Sequence, residues 1–420
     1  MVTRRLAIGG LAGSAVAGFG ARAAATELGV DALSSAIHRL GAEGRYLPAW
    51  ARLLAIHDPM DLDTPEQWAA FLGDESIALA HAADPNATGP AHLSGAVAED
   101  AVAAIVRASA GRRVVMLNEA HVASRHRMFL ARLLPALRRE GFTHLAAETF
   151  LNTRDPLAPH VETLQRGDPL KPGHGWYTAD PVYAETVREA LELGYGLVAY
   201  EERPDQVASS ADSTHVDPNR EQSQAENLAA ALARAPDSRF IVYVGYGHIT
   251  KMMDLPGGPR FAGRFQRLTG IEPLTVVQDS SGSFGPHAPD AQPTRDILAK
   301  FAPRSPIIVR GSDRQVLGTA PGVADFIVVH PALADVNGRP GWLAHAPGRH
   351  ARTMRLRAPS PAGLALAQAV PAAESDPAIP ADQYLLRPGA RDLTFHLRPG
   401  RYRVRLETLD GFTVVGEVTA

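Results

Sequence analysis

Val114-Val115-Met116-Leu117-Asn118-Glu119-Ala120-His121 is a short apolar run that stops on a carboxylate and an imidazole. Three later segments repeat the device: His144-Leu145-Ala146-Ala147-Glu148, Gly196-Leu197-Val198-Ala199-Tyr200-Glu201-Glu202 and Phe240-Ile241-Val242-Tyr243-Val244-Gly245-Tyr246-Gly247-His248. An unbroken apolar run of this length reads as a strand buried on both faces, as in a parallel sheet covered by helices. With all four strands parallel, their polar tips gather along one edge, where open α/β sheets bind ligands.

The sequence between the runs supports this reading. Met128, Phe129, Leu130, Leu133, Leu134 and Leu137 form a helical stripe that ends at Gly141, with Pro135 inside it expected to bend the helix. Asp180-Pro181 and Asp217-Pro218 each pair an N-cap with a first-turn proline. The second of these helices carries Arg220, Gln224 and Asn227 at spacings that put them on one face. Strands alternating with helices imply βαβ units with right-handed crossovers. Residues 152–179, rich in Pro, Gly and His, are long enough for a lid or binding loop.

The expected fold is therefore α/β, a mostly parallel central sheet flanked by helices, over residues 111–345. Residues 26–110 read as a helical lead-in, in which His38, His57, His81 and His92 share no metal-pair spacing. Leu274–Val277, Ile307–Val309 and Phe326–Val329 read as further strands, and the Gly/Pro/Ser-rich stretch 280–293 as a surface loop. Residues 346–382, rich in Pro and Ala, read as a linker. Period-two runs around Arg398-Pro399-Gly400 and Asp410-Gly411 predict a small antiparallel β-module of hairpins over 383–420.

The 420 residues carry 42 Lys and Arg against 45 Asp and Glu, a formal net charge of -3, with no long basic run. That excludes a nucleic-acid footprint. Lysine occurs only at Lys171, Lys251 and Lys300, a bias that fits a GC-rich genome. Without cysteine, any metal has to be held by His, carboxylate or phenol oxygen, and disulfides and thiol nucleophiles are excluded. Arg4-Arg5 ahead of a weakly apolar core, followed by Ala21-Arg22-Ala23, reads as a twin-arginine export signal over residues 1–25. The core from Leu6 to Phe19 is short for a spanning helix, which needs ~20 apolar residues. The mature chain is thus expected in the periplasm or outside the cell, starting near Ala24 and without a stable membrane anchor. Twin-arginine export permits a cofactor already in place.

In an extended chain Glu119 and His121 project to the same side and can share a site, with His126 in reach at the start of the next helix. Glu148, Glu201 or Glu202, and His248 add to the cluster from neighbouring strands. Imidazole plus carboxylate supplies either a general base with its orienting partner or ligands for a divalent metal. Tyr246, between two glycines, has three expected roles: iron ligand, donor to an oxyanion, or packing.

The order Asn118-Glu119-Ala120-His121, Glu148, Tyr200-Glu201, Arg220-Glu221 with Asn227, then Gly245-Tyr246-Gly247-His248 resembles the superfamily that joins erythromycin esterases, ChaN-like haem-binding lipoproteins and Tiki/TraB proteins. The resemblance covers about residues 110–280. It implies a site core of Glu119, His121, Glu148 and His248, with Arg220 as a carboxylate partner or anion binder. His126 is more like the ChaN branch, although the lipid-anchoring cysteine of that branch is absent. Asn118 stands where the pattern has glycine, and asparagine tolerates a left-handed turn better than most residues.

Two functions are expected from this combination. The first is a hydrolase of an ester or amide, in a small molecule or peptide. Its water would be activated either by His121 with Glu119 or Glu148, or by a divalent Mn, Zn, Co or Fe held by His121, Glu148 and His248, with Arg220, His126, Tyr246 and Glu201 contacting substrate. The second is a haem- or iron-binding protein using Tyr246, His121 or His248 as ligand, with Trp176 and Tyr177 walling the slot. A third reading is a scaffold that keeps the fold without the chemistry, for which Asn118 is the hint.

Overall fold

A computed structural model describes residues 36–37, 39–54, 65–74, 93–207, 218–255, 258–278, 291–317, 323–332, 334–336 and 338–420. The export signal, His38, His57, His81, His92, Asp217 and most of the expected loop 280–293 lie outside them. No helix among the described residues is long and apolar enough to cross a membrane.

The chain runs α1 (Tyr46–Leu53), α2 (Pro65–Phe71), β1 (Val97–Asp100), α3 (Ala101–Ala108), β2 (Val114–Glu119), α4 (Ser124–Arg139), β3 (Phe142–Ala147), α5 (Pro181–Glu192), β4 (Gly196–Ala199), α6 (Pro218–Arg234), β5 (Arg239–Gly245), α7 (Phe261–Thr269), β6 (Leu274–Val277), α8 (Ala291–Phe301), β7 (Ile307–Arg310) and β8 (Phe326–Ile327). Six strands form one sheet in the order β4-β3-β5-β2-β6-β8, every pairing parallel. The four strands with polar tips are thus consecutive neighbours, and their C-terminal ends share one edge. Strand pleating divides their side chains between two cores. Val115, Leu117, Ile241 and Tyr243 pack with Phe129, Leu133 and Val187 of α4 and α5, while Val114, Met116, Phe240 and Val242 pack with Leu228, Leu232 and Phe265 of α6 and α7.

Two expectations are corrected at the margins of the sheet. The lead-in is not helical throughout, because β1 lies within it and pairs antiparallel with β7 outside the main sheet. The stretch read as a linker holds strands of the β-module. After the short hairpin of β9 (Asp335–Val336) and β10 (Arg339–Pro340) come β11 (His350–Arg355), β12 (Leu366–Pro371), β13 (Asp382–Leu385), β14 (Asp392–Leu397), β15 (Arg401–Glu407) and β16 (Phe412–Thr419). They form a β13-β12-β15-β16 sheet and a β11-β14 pair, and Leu393, Phe395 and Leu397 pack with Ala367, Val404 and Leu406 across the interface. Asp410-Gly411 closes a true hairpin, but Pro399-Gly400 carries the chain from one sheet to the other.

The outer face of this module seats α1 and α2. Leu366 packs with Trp50, Trp68 and Phe71, and Gln383 Nε2 donates to the Phe71 carbonyl at 2.6 Å. Beneath them Glu407 is fully buried, with Arg45 Nε donating at 3.3 Å and Gln368 Nε2 at 3.3 Å. Burial pushes its carboxyl up to about 7 against the pull of the Leu47 backbone N–H and Arg45. A carboxyl raised above its unfolded value favours the folded state when protonated, so stability falls as pH rises from the ordinary carboxylate range through about 7. Glu407→Gln is therefore expected to gain on the order of 1–3 kcal/mol over the natural chain at pH 8.5 and little at pH 5. Urea unfolding at both pH values tests this, and an equal difference at both would contradict it.

Candidate active site

The pleat of β2 sends Glu119 and His121 to the α4 side of the sheet, where a buried cation meets them. Glu119 is 2% exposed and accepts from Arg127 Nε at 2.8 Å and Nη2 at 2.7 Å. Arg127 is wholly buried on α4, and its Nη1 donates to Asp180 Oδ2. Asp180 is also the N-cap of α5, with Oδ1 accepting from Val182 N at 2.7 Å, so one carboxylate caps a helix and tethers the guanidinium. Burial alone would raise the Glu119 carboxyl, yet the charge and hydrogen bonds of Arg127, with His121, hold it below its ordinary value. An ionised carboxylate can only accept. His121 Nδ1, 2.9 Å from Glu119 Oε1, therefore donates its N–H to that oxygen.

The His121 ring is clamped. Tyr177 stacks on it at 3.8 Å and 16°, and Tyr246 meets it edge-on at 4.7 Å. Nε2 faces Gly245: a Cβ there would lie 2.6 Å from Nε2 and 3.1 Å from Glu148 Oε2. Only glycine leaves room for the imidazole beside Glu148.

Glu148 follows β3 and is 8% exposed. Its Oε2 accepts from Gly245 N, and its Oε1 accepts from Arg220 Nη2 at 2.7 Å. Burial raises its carboxyl, but His248, Arg220 and His121 together hold it far below its ordinary value. Arg220 also binds Glu201 through Nε at 3.0 Å and Nη2 at 2.6 Å, and Gln224 Nε2 donates to Glu201 Oε2 at 2.9 Å. The polar face of α6 thus closes over the strand edge. His248 repeats the His121 arrangement: Nδ1 lies 2.8 Å from Glu221 Oε1, and Nε2 lies 3.7 Å from Glu148 Oε1. Burial would lower this imidazole, but Glu148 and Glu221 hold it above its ordinary value.

A cavity of about 680 Å³ opens from Glu148, Glu201 and Arg220 between aromatic walls of Trp68, Phe71, Trp176 and Tyr177. Leu151 N donates to His174 O and Trp176 N to Thr149 O, which closes the base of the 152–179 loop beside it.

Glu119, His121, Glu148, Arg220, Glu201 and His248 are thus brought together, and Tyr246 packs on His121. His126 is not part of the group. It is the third residue of α4, its Nδ1 accepts from Ala120 N at 3.1 Å, and its ring packs on His330 behind the strand. Asn118 is extended in β2, not left-handed; the positive φ (39°) falls on Tyr246. Asn118 Nδ2 donates to the Tyr246 carbonyl at 2.9 Å, and its Oδ1 accepts from Gln278 N at 2.6 Å, tying β2, β5 and β6 together.

Among the described residues no three His, Asp or Glu stand in a metal-holding arrangement. The donor chemistry accounts for this at His121, Glu148 and His248. The Arg220 guanidinium sits between two of the three, donating to Glu148 Oε1 and lying 3.3 Å (Nη1) from His248 Nε2, and a cation there competes with a metal. The described lining of the cavity holds Tyr177, whose phenol burial pushes far above its ordinary value, and neither Tyr246 nor a histidine.

Arg127, the tether that Asp180 makes to it, the stacking of Tyr177 on His121 and the role of Glu221 escape sequence reading. Asp180 shows only its cap signature, whereas the adjacency of Glu221 to Arg220 was a usable signal: neighbours on a helix point about 100° apart, one to Glu201 and one to His248.

No protein-family model matches the chain, and no curated protein matches it. Solved structures with partial similarity include the type III effector HopBA1 (14% identity, TM-score 0.27, 43% of this chain and 83% of that one). Another is RRSP, a MARTX toxin effector domain from Vibrio vulnificus (14%, TM-score 0.32, 59% and 56%). The C-terminal region of Pasteurella multocida toxin, described with a thiol-protease-like catalytic triad, gives 12% identity and TM-score 0.27 over 58% of this chain and 30% of that one.

Proposed function

We propose that the chain is a hydrolase of an ester or amide that uses water and the His121–Glu119 dyad, without a metal. The observation that supports it is the pairing of two imidazoles, each held at Nδ1 by a buried carboxylate, on either side of Glu148. His121 Nε2 takes a proton from water as the water oxygen bonds to the carbonyl carbon. The carbonyl electron pair moves to oxygen, where Arg220 and protonated His248 lower the energy of the anion. Collapse breaks the bond to the leaving alcohol or amine, which receives the proton from His121. Glu119 stabilises the transient imidazolium, and the aromatic cavity takes the apolar part of the substrate. This reading sides with the erythromycin esterase branch of the resemblance, which is itself part of the proposal.

A panel of aryl and alkyl esters and peptide amides, assayed before and after exhaustive chelation, tests it. Turnover of at least one class, unchanged by chelation, is expected. Loss on chelation with recovery on adding Zn or Mn would sink the metal-free mechanism, and no turnover across the panel would sink the hydrolase.

A further inference from the structure

Gly245 and Gly247 flank Tyr246, yet the positive φ of 39° falls on the tyrosine between them, while Gly245 stays extended at φ −81° and ψ 146°. Glycine enters the left-handed region without penalty, whereas a residue with a side chain has to be held there by its surroundings. This conformation brings the Tyr246 ring edge-on to His121 at 4.7 Å. The carbonyl of the same tyrosine accepts from Asn118 Nδ2 at 2.9 Å, and Asn118 is wholly buried. We propose that Asn118 is a positioning residue for His121: its amide holds the Tyr246 carbonyl, the held turn keeps the tyrosine ring in place, and the ring fixes the imidazole.

The Asn118 amide suits this role because its other end is also fixed. Its Oδ1 accepts from Gln278 N at 2.6 Å, which sets the oxygen toward the end of β6 and the NH₂ group toward the turn. Gln278 Nε2 in turn donates to the Asn118 carbonyl at 2.7 Å. An aliphatic side chain of the same size offers neither the donor nor the acceptor. The turn that Asn118 holds also serves other groups of the proposed mechanism. Gly245 N donates to Glu148 Oε2, and His248 lies two residues beyond Tyr246 in the same 3₁₀ turn, Tyr246–Ile249.

NMR of the full chain, carrying carbon-13 at histidine Cε1, tests this, with the His121 signal assigned by its absence in His121→Ala. In Asn118→Ala, checked for native circular dichroism, the His121 signal is expected to move toward its position in Tyr246→Ala. The variant carrying both changes is expected to coincide with Tyr246→Ala, because the asparagine acts through the tyrosine. Gln278→Met removes a bond to the same strand without touching the Tyr246 carbonyl, and is expected to leave the signal where it is in the natural chain. Asn118→Ser, one bond short of that carbonyl, gives the same reading if the alanine variant does not fold. Only the kinetic arm rests on the hydrolase reading. On any ester turned over, kcat is expected to fall roughly 10–10²-fold in Asn118→Ala with KM within about twofold, the pattern of a misplaced base and not of a lost substrate contact. An unmoved His121 signal in Asn118→Ala, an equal displacement in Gln278→Met, or additive displacements in the double variant would overturn the proposal. Absence of turnover in the natural chain would end the hydrolase reading and leave the NMR result to decide this one.

Discussion

His121→Ala is expected to lower kcat/KM roughly 10²–10⁴-fold on any ester the protein turns over, the range for loss of a positioned general base. Its unfolding free energy should change far less, because the ring is held by stacking and one hydrogen bond at a partly open edge. Gly245→Ala is the companion experiment. The residue has φ −81°, so alanine costs no backbone strain there, and its effect comes from the methyl group entering the space of the imidazole. It should approach the loss in His121→Ala while leaving every catalytic group in the chain. Activity within threefold of natural in both variants would remove His121 as the base.

Arg127→Met is expected to cost about 3–5 kcal/mol of unfolding free energy, the penalty for removing one member of a buried ionic cluster. Glu119 and Asp180, 2% and 1% exposed, would both lose their counter-charge. Combining it with Glu119→Gln and Asp180→Asn should recover much of the loss, since the remaining groups are then neutral. Urea unfolding of the single and triple variants distinguishes this from a packing effect. A cost under about 1 kcal/mol in the single variant would mean that water enters and solvates the carboxylates.

The parallel sheet is legible in the sequence because burial on both faces removes polar residues from the middle of each strand and leaves them at its tips. The same logic fails where strands are short or their company is unusual. Val97–Asp100 is only four residues and largely exposed, and in β12 the small alanines face one core while Leu366 and Gln368 face another, so Leu366–Pro371 lacks a polar beat. At the site, Glu119, His121, Glu148 and His248 are visible because each ends an apolar run. Arg127 and Asp180 are not, since their partnership joins residues 53 apart and depends on where α4 and α5 cross. His126 misleads for a related reason. Once α4 begins at Ser124, each residue turns by about 100° and the third faces the interior.

Trp68 and Phe71 come from the first helices of the described chain, Trp176 and Tyr177 from the loop after β3, and Leu366 from the sheet behind them belongs to the last third. The groups proposed to perform the chemistry belong instead to the ends of the central strands and to α6. Mutational drift at Trp68 and Phe71 can therefore reshape what enters the cavity while Tyr177 keeps its stacking on His121, so the range of molecules accepted can diverge between descendants that keep the proposed reaction. The same arrangement makes residues 111–345 a poor unit to excise. Cut free, that fragment would bare the faces of Trp176 and Tyr177 that now rest on the two ends of the chain, and with them the support of the His121 ring.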